Sequence, residues 1–172
     1  MLIIKSIMCA ELDKILSQAY ELCEDGNFLD ALKLYDLILK KEPQNIAALL
    51  DKGVTLQNLG RLKQSIKYYD KVIHLDPNNI QALINKGASL HSSKKYHDAI
   101  RCYDLALKID KKSPMALAYK GLSLGELGDL KDALKHFKKA LSIEEDYDLA
   151  SIGKDTVTKL LKSIQNQKSK TQ

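Results

Sequence analysis

Three short segments of the chain line up at an interval of 34 residues: Leu49-Leu-Asp-Lys-Gly53, Leu83-Ile-Asn-Lys-Gly87 and Leu117-Ala-Tyr-Lys-Gly121. The same interval separates Tyr68-Tyr-Asp70, Cys102-Tyr-Asp104 and His136-Phe-Lys138, and one period earlier Ile15, Ala19 and Tyr35 form a weaker first copy. A fixed period of this length marks a stack of supersecondary units, none of which can bury its apolar face alone. It predicts four 34-residue units over 12–145, with boundaries near 12–45, 46–79, 80–113 and 114–147.

Each unit reads as two amphipathic helices. In the second, Leu49, Gly53 and Leu56 follow helical spacing, as do Leu62, Ile66, Tyr69 and Ile73. Gly26, Gly60 and Gly128 recur between the helices, where a left-handed residue can end the first one. The third unit has Lys94 there, at a cost of about 1 kcal/mol relative to Gly if it takes that conformation. Asn45, Asn79 and Ser113 are placed as N-caps, and Pro43 and Pro77 as stops. After residue 146, Leu149, Ile152, Val157, Leu160, Leu161 and Ile164 share one stripe, which predicts a helix over 147–164 covering the open end of the stack. The polar tail 165–172 is expected to be disordered. Residues 1–11 form an apolar N-terminal segment, whose first nine residues could extend the first helix, cover the other end, or dock on another molecule.

Composition narrows the function classes. Apolar residues make up 45% and charged residues 28%, which excludes wholesale disorder. The net charge of +5 is mild and graded along the chain: five basic and eight acidic side chains in 1–42, five basic and two acidic in the last 26 residues. No dense basic stripe of the kind used by nucleic-acid binders is present. Cys9, Cys23 and Cys102 are odd in number and make no CxxC pair, so reduced thiols and a cytoplasmic location are expected. The opening Met1-Leu-Ile-Ile-Lys-Ser-Ile-Met8 is too short to span a bilayer and lacks the regions of a signal peptide.

The recurring positions carry a resemblance. In the fourth unit they read Leu117, Gly121, Leu124, Ala133, Phe137 and Ala140, and in the third Leu83, Gly87, Leu90, Ala99, Tyr103 and Ala106. The second reads Leu49, Gly53, Leu56, Ser65, Tyr69, Val72 and Pro77, and the first Ile15, Ala19, Leu22, Ala31, Tyr35, Ile38 and Pro43. This pattern resembles the tetratricopeptide repeat. It departs from that repeat at Lys52, Lys86 and Lys120, where Leu is usual, and at Lys111 and Glu145, where Pro is usual. The resemblance implies an all-α fold: a right-handed superhelix of four helix-turn-helix repeats with a C-terminal capping helix, the first helix of each pair lining the concave side.

Carrying the family's groove positions over gives Leu16, Tyr20 and Cys23 in the first unit, and Ala47, Leu50, Val54 and Gln57 in the second. The third supplies Gln81, Ile84, Ala88 and His91, and the fourth Met115, Ala118 and Leu122, with Asn85 and Tyr119 beside the line. So apolar a lining implies a non-enzymatic adaptor that holds an amphipathic helix, or an extended peptide with apolar anchors, of a client protein. Two alternatives stay open: Leu50, Val54 and Ile84 are core buried by their neighbours, or the groove is filled by the chain's own terminus or a second copy, making a homodimer through residues 1–8 or the C-terminal helix. The carboxylate clamp of the family's co-chaperones is not expected. Its positions read Leu16, Tyr20, Asp51, Gln81 and Asn85 in one register and Leu50, Val54, Asn85, Met115 and Tyr119 in the next, with no cation among them.

Catalytic and metal chemistry find no pattern to attach to. His74, His91, His97 and His136 have no cysteine or carboxylate cluster at ligand spacing, so no metal site and no cofactor are expected. Asp70 and Asp104 recur with the repeat rather than as an acid–base dyad. No phosphate-cradling glycine loop or nucleophile motif is present. RNA binding of the pentatricopeptide kind is not expected either, because those arrays use 35-residue units with polar base-reading residues.

Overall fold

The computed structural model describes the backbone of residues 2–170 and the side chains of 10–167 and 169. All described elements are helices: α1 (Leu2–Glu24), α2 (Phe28–Lys41), α3 (Ile46–Asn58), α4 (Leu62–Leu75), α5 (Ile80–Ser92), α6 (Tyr96–Ile109), α7 (Pro114–Glu126), α8 (Leu130–Leu141) and α9 (Asp148–Lys170). The repeat period fixes where they stop. After α1, α3, α5 and α7 the chain turns through a residue of positive φ: Gly26, Gly60, Lys94 (φ 59°) and Gly128. Each turn closes with a backbone bond back to the last helical turn, from Asn27 N to Leu22 O, Arg61 N to Leu56 O, Lys95 N to Leu90 O and Asp129 N to Leu124 O, at 2.7–2.9 Å. Lys94 therefore takes the left-handed conformation that the period demands, without a glycine. The following starts are capped as expected: Asn45 Oδ1 accepts from Ala48 N at 3.0 Å, Asn79 Oδ1 from Ala82 N at 2.9 Å and Ser113 Oγ from Ala116 N at 3.2 Å.

The chain divides into two compact units, Met1–Ala82 and Leu83–Gln172. In the first, Tyr35 and Tyr69 are fully buried among Ile38, Leu49, Val72 and the small residues Ala31, Ala48 and Ser65. A Cβ added to Gly53 would sit 2.6 Å from the Tyr69 ring, so the glycine is what lets α3 and α4 cross with the aromatic between them. In the second unit the same relation holds for Gly87 with Tyr103, at 2.4 Å, and for Gly121 with Phe137, at 2.8 Å.

Helix α9 follows the repeat frame for two turns and then breaks it. Ala150 lies one period after Ala116 and is fully buried, and Gly153 comes so close to Phe137 that an added Cβ would be 2.5 Å from its ring. One period after Gly121, however, stands Asp155, which is exposed, and Ser151, Thr158 and Lys162 share its face. That polar face lacks the glycine against which Tyr69, Tyr103 and Phe137 pack in the helices before it. The helix continues beyond residue 164 to Lys170, so the disorder expected from 165 onward does not describe 165–170. That stretch contains neither Gly nor Pro to stop it. At the other end α1 begins at Leu2, ten residues before the repeat frame, so the backbone of 2–9 extends the first helix. The expected docking role of residues 1–8 concerns side chains outside the described residues, as do residues 171–172 of the tail.

Candidate interaction surface

The groove positions recur with the period, and the structure grades them sharply. In the first unit Tyr20 of α1 is 58% exposed, and Leu16, Leu50 and Val54 are half-buried. In the second unit Ile84 is only 3% exposed, and Ala88 and Ala118 are buried with it, so these three belong to the core and offer little contact area. The reading of the lining as ordinary core thus applies fully to Ile84 and in part to Leu50, which packs against the Leu49, Val72 and Ala82 cluster, while Val54 is half-buried. Met115 is exposed, Leu122 and Asn85 are half-buried, and Gln81 is exposed. Tyr119 is half-buried and stacked on Tyr103, ring centroids 5.9 Å apart and planes 20° from parallel.

Three groove residues, Cys23, Gln57 and His91, are tied into the fold itself. The first and third repeats each place a polar trio of the last groove position, the core aromatic and a small residue of the next repeat's first helix: Cys23, Tyr35 and Thr55, and His91, Tyr103 and Ser123. In the first unit Cys23 Sγ lies 3.2 Å from Thr55 Oγ1 and 3.6 Å from the Tyr35 hydroxyl, and the Tyr69 hydroxyl donates to Gln57 Oε1 at 3.0 Å. In the second unit His91 Nδ1 is 2.9 Å from Ser123 Oγ. Burial pushes the Tyr35, Tyr69 and Tyr103 hydroxyls well above the usual phenol range, so all three stay neutral. The fourth repeat dispenses with the trio: Gly125, Phe137 and Val157 occupy its positions, and none carries a side-chain polar atom.

Ser123 and His91 are a nucleophile and a base in kind, but Ser123 is 0% exposed, so no substrate carbonyl can approach it. Burial also holds the His91 imidazole below its ordinary range, with nearby Glu126 partly opposing the shift. The pair is a packed hydrogen bond between α5 and α7. Among the described residues no three His, Cys, Asp or Glu side chains gather closely enough to hold a metal ion, and no helix is long and apolar enough to cross a membrane.

On the sequence Ile152 and Leu160 share the stripe expected to cover the stack, and the structure exposes both. One period after Ala118 comes Ile152, 67% exposed, and Leu160 two turns on is also exposed. The signal was available in the 34-residue step, but a helix serving as a cap is not expected to carry groove residues as well.

Helix pairs of this length, repeated with an aromatic against a glycine, define an all-α helical-repeat protein. The model of the N-terminal TPR repeats region of Psidin matches residues 13–119, and a tetratricopeptide repeat model matches 116–147. The chain belongs to the tetratricopeptide repeat family, whose repeats serve in general as protein–protein interaction scaffolds. Comparison with curated proteins gives no match. Among solved structures, the MamA protein shares the fold at a TM-score of 0.72 and 22% identity, over 92% of each chain. A tetratricopeptide repeat protein of Parabacteroides merdae gives 0.76 and 21%, over 88% of this chain and 60% of that one. The TPR domain of Arabidopsis OM64 gives 0.64 and 22%, over 66% and 94%.

Proposed function

We propose that this protein is a non-enzymatic cytoplasmic adaptor that holds an amphipathic helix, or an extended segment with apolar anchors, of a client protein against the first helices of its repeats. The observation that carries this reading is the exposure of large apolar side chains at the groove positions: Tyr20, Met115 and Ile152, with Leu16, Leu50, Val54 and Leu122 half-open beside them. Scattered apolar residues on a surface need no explanation, but here Leu16, Leu50 and Ile152 fall in one 34-residue register and Tyr20, Val54 and Leu122 in a second, beside other exposed apolar residues such as Leu29, Leu37 and Leu105 that share neither. The absence of cations from the positions of the family's carboxylate clamp argues for apolar rather than charge-based capture. Gln57 and His91 are not assigned to partner contact, since both hold the fold together.

The test is to compare the proteins retained by the wild type with those retained by Leu50→Glu and Leu122→Glu, with circular dichroism confirming the fold. At least one abundant client lost from a folded variant is expected. An identical set on all three proteins would overturn the groove reading. Light scattering on the full chain and on a chain lacking residues 1–8 tests the alternative: a dimer that depends on those residues would mean that self-association takes the apolar surface.

A further inference from the structure

In the second unit the missing trio leaves a cavity. Its volume is about 270 Å³ and it lies between α7, α8 and α9, with Phe137 as its floor and Leu122, Leu130, Ile152 and Leu160 as its walls. A Cβ built on Gly125 meets nothing within 4 Å, so the mouth is open on the α7 side. In the first and third repeats the corresponding positions hold Cys23, which bonds Thr55 of the next repeat's first helix, and His91, which bonds Ser123 in the same way. Here three substitutions at once, to Gly125, Phe137 and Val157, remove both the filling side chain and the polar atoms it would have met. The volume lies below the roughly 300 Å³ at which pockets for whole small molecules begin, and suits a single large apolar side chain.

The rim has a sign. Glu126 lines the mouth, is exposed, and accepts a hydrogen bond from the Tyr96 hydroxyl at 3.2 Å. Among the described residues it makes no ion pair. An apolar hole beside an uncompensated carboxylate favours a leucine- or phenylalanine-sized anchor on a segment that also carries a cation within a helical turn.

We propose that this cavity is the anchor site of a basic amphipathic partner helix, the apolar anchor seated on Phe137 and a neighbouring lysine or arginine meeting Glu126. The proposal rests on the adaptor reading and gives its partner a chemistry. The probe is a synthetic helical peptide with leucines at i, i+3 and i+7 and lysines on the other face, beside a version with glutamates in place of the lysines. Binding to the full chain is followed by fluorescence anisotropy and by methyl resonances. The lysine peptide is expected to shift Ile152, Leu160 and Val157, and to bind about tenfold more tightly than the glutamate peptide. Gly125→Leu, which fills the cavity from an unstrained helical position, and Glu126→Gln, which keeps the acceptor but removes the charge, should each weaken it severalfold. Shifts confined to Leu50 and Val54 of the first unit would overturn the cavity while sparing the groove. Unchanged binding by Gly125→Leu would overturn it too. Resonances of Ile152 that move on dilution of the free protein would mean that a second copy holds the cavity, and would equally sink the proposal. Absence of binding by the lysine peptide would do the same, leaving the groove to its own Leu50→Glu test.

Discussion

Lys120 Nζ of α7 donates to Asp104 Oδ1 of α6 at 2.6 Å, and Lys52 of α3 bonds Asp36 of α2 across the same sixteen-residue separation. Both lysines stand where the family usually has Leu. The departure and the recurring aspartate are therefore two halves of one device, a charged bond tying the second helix of a repeat to the first helix of the next. Burial pulls the Lys52 ammonium down, but its bonds to Asp36 and Tyr68 outweigh this and leave its pKa raised. The ammonium also lies 4.6 Å from the centre of the Tyr68 ring.

The two partners of that bond should not be equivalent. The Lys52 side chain is 8% exposed and Asp36 66%, so removing the aspartate strands a buried charge while removing the lysine strands only a hydrated one. Asp36→Ala is expected to cost about 1–2 kcal/mol in urea denaturation. Lys52→Met, which restores the apolar stem usual in the family, should stay within about 1 kcal/mol of the wild type. Equal losses for the two variants would mean that the bond contributes only as a surface pair.

Tyrosine hydroxyls offer a second contrast. That of Tyr69 donates to Gln57, whereas that of Tyr103 is buried and makes no hydrogen bond of normal geometry. A satisfied buried hydroxyl is worth about 1 kcal/mol and an orphaned one costs a similar amount. Tyr69→Phe should therefore lower stability by about 1 kcal/mol, and Tyr103→Phe should be neutral or raise it. Thermal melts of the two variants in one buffer decide the matter.

The fold was legible because start, stop and packing signals repeat together: Asn45, Gly60 and Tyr69 each have counterparts one period away, so a misread at one position is corrected at the next. Side-chain partnerships were less legible. The sequence shows Lys52 and Asp36 as separate peculiarities, and nothing in linear spacing brings residues on neighbouring helices together. The same holds for His91, read as a groove residue but bonded to Ser123. Exposure was the least legible property, because Leu50 and Ile84 occupy the same repeat position yet differ in burial. The end of α9 was missed for a local reason: a polar helix without Gly or Pro looks like a tail when its apolar stripe runs out.

The His91 bond should make stability depend on pH. The buried imidazole has a folded pKa below its ordinary 6.5, because burial penalises its charged form. The unfolded chain takes up a proton that the folded one resists, so this contribution is complete above about pH 6.5 and is lost as pH falls below it. His136, also lowered mainly by burial, acts in the same direction. His91→Gln puts the residue of the equivalent position, Gln57, into the trio. Urea midpoints between pH 7 and pH 5 should fall less steeply for the variant than for the wild type. Parallel slopes would mean that His91 titrates alike in both states.

Two glycines of successive first helices should respond in opposite ways. At Gly87 an added Cβ would lie 2.4 Å from Cε1 of Tyr103, a ring that is itself fully buried and has nowhere to retreat. Gly87→Ala is expected to destabilise by about 3 kcal/mol, the upper end of ordinary overpacking. At Gly125 the added methyl meets open space inside a regular helix, so Gly125→Ala should stabilise by about 0.5–1 kcal/mol through the lower entropy of the unfolded chain. The same methyl narrows the mouth of the Phe137 cavity, so the more stable variant should bind the lysine peptide more weakly. A rise in melting temperature together with a fall in affinity would show that the glycine is kept for the space it leaves. A rise in both would show that its place in the helix has no bearing on binding.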